Sequence, residues 1–256
     1  MSVIDLVARP HVRRRWLFVG GGTLAVLAGG TATLGRLAGS RAALAWAGVA
    51  APLLAYEAYF FHSRREGGPV AVRAANAVTL MRGWLFAAVG GFVALGPTTA
   101  LVPPGVAGAI AWVPGLCYGL GAALDQVDGR LARYTGTESH FGERLDMAVD
   151  TLGFVVAPGV AVAWGRLPVW YLSLAAARYC FKAGRGYRRW RGLPVHDLSP
   201  HSLRRTFSGL QMAFLTVALL PLVTPDTLAV LAAVVLTPSL AMFGRDYLVM
   251  AGYYRP

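Results

Sequence analysis

Residues 125–150 read DQVDGRLARYTGTESHFGERLDMAVD, and Asp125, Asp128, Asp146 and Asp150 stand among them in a chain with only 12 acidic residues. Spacings of three and four put each aspartate pair on one face of a helix. The residues before Asp125 (GLCYGLGAAL) and after Asp150 (TLGFVVAPGV) are almost wholly apolar. The carboxylates therefore sit at the ends of membrane helices, where ionisable groups are costly and mark function. Two adjacent ends aim four carboxylates at one point. Such a group repels itself unless cations share it, and an all-oxygen donor set suits Mg²⁺, Mn²⁺ or Ca²⁺. The competing reading is a set of solvated helix ends, which the apolar run after Asp150 disfavours.

Working outward, the 256 residues are 56% hydrophobic and 14% charged, against about 25% charged in a soluble domain. Mean hydropathy is +0.52. This describes an all-α polytopic membrane protein. Eight stretches are apolar enough to span, at about 16–34, 43–61, 83–103, 105–124, 146–165, 167–181, 208–223 and 227–243. The 24 basic residues crowd on alternate loops: Arg9 and Arg13–Arg15, then Arg64, Arg65 and Arg73, then Arg130, Arg133 and Arg144. The series continues with Lys182 to Arg205, and then Arg245 and Arg255, while the opposite loops hold Arg36, Arg41 and Arg166. By the positive-inside rule both termini are cytoplasmic, in the cell membrane, which eight spans satisfy. A retained first helix is expected rather than a cleaved signal, because its apolar run is long. The net charge of +12 is then topology with some attraction to anionic lipid, and nucleic acid has no place. Cys117 and Cys180 lie in apolar stretches and offer neither a disulfide framework nor a zinc cluster. Glu57, inside span two, either pairs with a neighbouring helix or reaches the interface near His62.

The 125–150 stretch resembles the signature of the CDP-alcohol phosphatidyltransferase family: D, two residues, DG, two residues, AR, eight residues, G, three residues, D, three residues, D. Asp125, Asp128, Gly129, Ala132, Arg133, Gly142, Asp146 and Asp150 occupy every fixed position. Asn76, Thr79 and Arg82 resemble the family's upstream N-x-x-T-x-x-R element. The resemblance implies a six-helix core over 69–256, with residues 1–68 adding an N-terminal arm and two further helices, and a homodimer.

It also implies transfer of a phosphatidyl group from CDP-diacylglycerol to an alcohol acceptor, with CMP released. Asp125, Asp128, Asp146 and Asp150 match the ligands of two divalent cations, Mg²⁺ or Mn²⁺, and Asp150 matches the catalytic base. Asn76, Thr79, Arg82, Gly129, Ala132, Arg133 and Gly142 are the expected nucleotide contacts. The bland roles for these are helix capping by Asn76, snorkelling by Arg82, a positive-inside charge at Arg133 and helix packing at Gly142.

Arg178 and Lys182 are four apart on one helix face, and Arg178 falls in the apolar YLSLAAARYCF. A cation there is costly unless it meets a partner or a bound anion. The expected acceptor therefore carries a phosphate, glycerol 3-phosphate first, with inositol phosphate, serine or another alcohol as alternatives. From other classes, an intramembrane cation transporter or an inactive scaffold would use the same fold. The transporter does not account for Gly129, Ala132 and Arg133 at fixed offsets, and the complete set of acidic residues argues against the scaffold.

Overall fold

A computed structural model describes residues 10–63, 74–96, 99–134, 139–198 and 202–253, with the side chains of 10–15, 128–133 and 202 outside the description. The helices are α1 (Pro10–Ala38), α2 (Ser40–Ser63), α3 (Ala74–Gly91), α4 (Pro104–Ile110), α5 (Val113–Tyr134), α6 (His140–Ala163), α7 (Ser173–Trp190), α8 (Ser202–Leu219) and α9 (Pro225–Met250). No strand occurs among the described residues. Each expected span overlaps a helix, and among the described residues six segments are long and apolar enough to cross a membrane; the expected spans at 167–181 and 208–223 are not among the six. The six are Trp16–Ala38, Ser40–Ser63, Ala74–Ala94, Pro104–Val127, His140–Ala163 and Pro225–Met250. The protein is an integral membrane protein.

Two elements run differently from the hydropathy reading. The third helix was expected over 83–103, but α3 starts at Ala74 and gives way at Gly91 to a 3₁₀ turn over Phe92–Ala94. Its first turns are polar in sequence, yet Asn76, Thr79 and Arg82 are buried against neighbouring helices. A hydropathy window scores such a turn as loop. Its end precedes a run with Pro97, Pro103 and Pro104, and the residue before a proline avoids the helical region. The sixth span, expected over 167–181, opens as a 3₁₀ turn (Val169–Leu172) and continues as α7 through the arginine-rich residues to Trp190.

Helix α3 is the hub, packed on α2, α5 and α6. Phe86 of α3 fills the space left by two glycines: a Cβ on Gly121 of α5 would lie 2.5 Å from its ring, and one on Gly153 of α6 would lie 2.8 Å away. Missing side chains thus let three helices close on one aromatic ring. Trp46 of α2 locks the N-terminal pair in the same way. Its ring fills the hollows at Gly30 of α1 and Gly91 of α3, and its Nε1 donates to Ala88 O at 3.0 Å. On the C-terminal side, Gln211 of α8 is buried and joins three elements. It accepts from the Tyr171 hydroxyl and donates to Val235 O at 3.1 Å and Ser239 Oγ at 2.9 Å on α9.

Two loop arginines have local work. Arg166 donates to the carbonyls of Ala218, Leu220 and Val223 at 2.7–3.1 Å, capping the C-terminal end of α8. Arg188 ties the end of α7 to Pro194 O and Ala251 O, at 3.1 and 3.0 Å.

Candidate active site

The ends of α3, α5 and α6 meet where the signature aspartates lie. Gly121 is one turn before Asp125, and Gly153 is three residues after Asp150. The tight approach around Phe86 therefore draws the carboxylates together. One oxygen each from Asp125, Asp146 and Asp150 lie within 4.8 Å of one another. Asp128 is also on α5, but its side chain, like those at Gly129, Ala132 and Arg133, is outside the described positions.

Arg82 lies at the centre of this trio and is wholly buried. Its Nη1 donates to Asp146 Oδ1 at 2.6 Å, and its Nη2 donates to Asp150 Oδ1 at 2.7 Å and faces Asp125 Oδ1 at 2.6 Å. The carboxylates are thus arranged about a positive charge already. Three hard oxygens converging on one cationic centre are the donor set that a divalent metal takes, so the residues present fit the cations the signature implies. The helix face expected to offer Asn76, Thr79 and Arg82 to a nucleotide turns inward. Thr79 Oγ1 donates to Ala75 O at 3.1 Å. Asn76 Oδ1 lies against Gly142, where a Cβ would come within 3.0 Å of it. Asn76 Nδ2 is buried without a hydrogen-bond acceptor among the described residues. Gly142 N donates to Ser139 Oγ at 3.1 Å, the N-cap of α6.

A cavity of about 390 Å³ opens beside the trio. Asp125, Asp146 and Asp150 line one side, and Arg178, Arg204, Arg205 and Asp246 line another. Arg178 rests over the Phe154 ring, 4.6 Å from its centroid. Lys182 is not in the cavity wall; it donates to Thr151 Oγ1 at 3.2 Å. Partial burial and then the nearby Arg178 push its ammonium below the usual lysine range. Arg204 and Arg205 read in sequence only as loop charges, and Asp246 as the end of the last span. Asp246 is 5% exposed, and its Oδ2 meets Arg204 Nε at 2.9 Å. The signal for it was present: an acid next to Arg245, closing an apolar run of twenty residues or so.

The sequence profile of the CDP-alcohol phosphatidyltransferases matches residues 72–241. The chain belongs to this family. The profile starts just before α3 and ends within α9, so it takes in the aspartate trio, Arg82 and most of the cavity wall. The protein is thus a membrane-embedded member of the CDP-alcohol phosphatidyltransferase family. The chain is also similar to the CDP-diacylglycerol–serine O-phosphatidyltransferase of Mycobacterium leprae (strain TN), 49% identical over 41 residues. That match spans 16% of this chain and 14% of the relative. No solved structure matches.

Proposed function

We propose that the protein transfers the phosphatidyl group of CDP-diacylglycerol to an alcohol that bears a phosphate, glycerol 3-phosphate first, and releases CMP. The observation that carries this reading is one cavity with three convergent aspartates on one side and Arg178, Arg204 and Arg205 on the other. The acceptor hydroxyl attacks the phosphorus that carries diacylglycerol. The bond from that phosphorus to the CMP oxygen breaks, CMP leaves, and the hydroxyl proton passes to Asp150.

Held in one cavity, donor and acceptor react without the entropy cost of an encounter, which offsets the weakness of a carboxylate base. Two Mg²⁺ or Mn²⁺ ions, held by Asp125, Asp128, Asp146 and Asp150, would supply charge neutralisation at the pyrophosphate when bound. The signature assigns Arg133 to the pyrophosphate, which a guanidinium can bind bidentately. Gly129 and Ala132 leave room for the nucleotide. Asn76 and Thr79 are buried on α3 and Asn76 lies against Gly142, so a nucleotide contact through them requires the Asn76 amide to turn outward. Three guanidiniums against the single carboxylate of Asp246 leave the acceptor wall net positive, which favours a phosphate dianion. Lys182 sits one turn beyond Arg178, outside the cavity wall, and would have to leave Thr151 to add its charge.

The assay is CMP release from CDP-diacylglycerol with Mg²⁺ or Mn²⁺ and one of glycerol 3-phosphate, inositol phosphate, inositol, glycerol or serine. A transporter or a silent scaffold releases none. Arg178→Ala is expected to raise the KM for glycerol 3-phosphate by roughly 10–100-fold with less change in kcat, since it removes ground-state binding of a buried charge. An unchanged KM in both Arg178→Ala and Lys182→Ala would remove the anion site. Serine is the second reading, favoured by the relative's activity and by the Asp246 carboxylate in the cavity wall, whose sign suits an ammonium.

The active site and both termini are proposed to face the cytoplasm. His140 is exposed at the start of α6, so a cysteine placed there should react with impermeant thiol reagents in inside-out vesicles. Labelling of intact cells instead would invert the topology.

A further inference from the structure

Glu57 lies on α2, outside the stretch matched by the family profile, and is 4% exposed. Both of its carboxyl oxygens are buried with no hydrogen-bond partner among the described residues. It rests on α3 at Gly83, where an added Cβ would come within 2.5 Å of Oε1 and 2.8 Å of Oε2. A buried carboxyl without a donor is costly and calls for a reason.

The adjacent residue, Arg82, has the opposite condition. Its guanidinium serves Asp125, Asp146 and Asp150 together, and these are the same oxygens that converge as cation ligands. In that position it cancels the repulsion of three carboxylates and holds them in place. A divalent ion bonded to those oxygens would lie within a few ångströms of the guanidinium, and two positive charges that close repel strongly in a low-dielectric interior. Loading the site therefore requires Arg82 to withdraw. A withdrawn, buried guanidinium needs a new carboxylate, and the orphaned one nearest along α3 is Glu57.

On the reading that the aspartates bind divalent cations, we propose that Arg82 is a positioning residue with two stations. It preorganises the aspartates when the site is empty and pairs with Glu57 when ions take them. Each residue then matters in a different state. Loss of Arg82 weakens the empty protein, because three carboxylates are left facing one another. Loss of Glu57 weakens the loaded protein, because Arg82 is left without a partner.

The test uses the full chain in detergent without substrate, following thermal unfolding in EDTA and in Mn²⁺, and Mn²⁺ affinity by calorimetry. Arg82→Gln should melt lower than wild type in EDTA and be restored by Mn²⁺, and Arg82→Lys should recover part of the EDTA stability. Glu57→Gln should melt as wild type in EDTA and bind Mn²⁺ about tenfold more weakly, the size of effect typical of groups that support metal ligands. Mn²⁺ affinity in Glu57→Gln within twofold of wild type would overturn the exchange, as would wild-type melting of Arg82→Gln in EDTA. If Arg82→Gln can be purified only with Mn²⁺ present, that is the expected direction, and Glu57→Gln still decides. Wild-type protein that binds no Mn²⁺ would instead sink the metal reading itself.

Discussion

Asp150→Asn is expected to lower CMP release by about 10³-fold or more, the range in which general-base catalysis falls. The amide keeps the shape of the side chain and can still accept one hydrogen bond from Arg82, so the fold is retained. It cannot take the acceptor's proton, and it gives up the charge that helps gather Arg82 with Asp125 and Asp146. CDP-diacylglycerol binding should persist in weakened form, because Asp125 and Asp146 still face the cavity. Single-turnover CMP release, compared with equilibrium binding of the donor, separates the two effects. Near wild-type turnover would remove Asp150 from the chemistry.

Gly153→Val should be the most damaging change that touches no polar group. The first added carbon alone meets Phe86 at 2.8 Å, and that ring is already pressed against Gly121 from the other side. Neither helix nor ring has room to yield, so overpacking should cost about 1–3 kcal/mol. The larger consequence is functional. Pushing α6 from α3 separates Asp146 and Asp150 from Asp125, and displacements near 1 Å cost on the order of 100-fold in rate. Gly159, six residues further along α6, has nothing within 4 Å of an added Cβ. Gly159→Ala should therefore be neutral or stabilise by about 0.5–1 kcal/mol through helix propensity. Thermal melting of the two variants side by side checks the contrast. Equal behaviour would mean that the Phe86 clamp does not set the spacing of the site.

The aspartates, the membrane character and the family were legible in the sequence because each rests on local information. Composition and the length of apolar runs follow from the solvent a helix must match. A signature with eight fixed positions is read one residue at a time, and Asp125, Asp146 and Asp150 do converge in the fold. The start of α3 was not legible in this way. Asn76, Thr79 and Arg82 read as one helical face ahead of the apolar run, but what that face meets is not fixed until the carboxylates of α5 and α6 are placed around it. Glu57 carried no sequence signal that chose between pairing and the interface, and its burial against Gly83 depends on how α2 docks.

Arg204, Arg205 and Asp246 join the cavity wall from α8 and α9, well beyond the end of the signature at Asp150. In the sequence the two arginines are indistinguishable from charges that only set topology, since both uses put an arginine near a helix end. The chain by itself determined which residues could do the chemistry and on which helices they lie. Which of them face one another was decided by tertiary packing, through the glycines that let three helices close on Phe86. A pair potential between charges depends on a distance that neither periodicity nor composition contains.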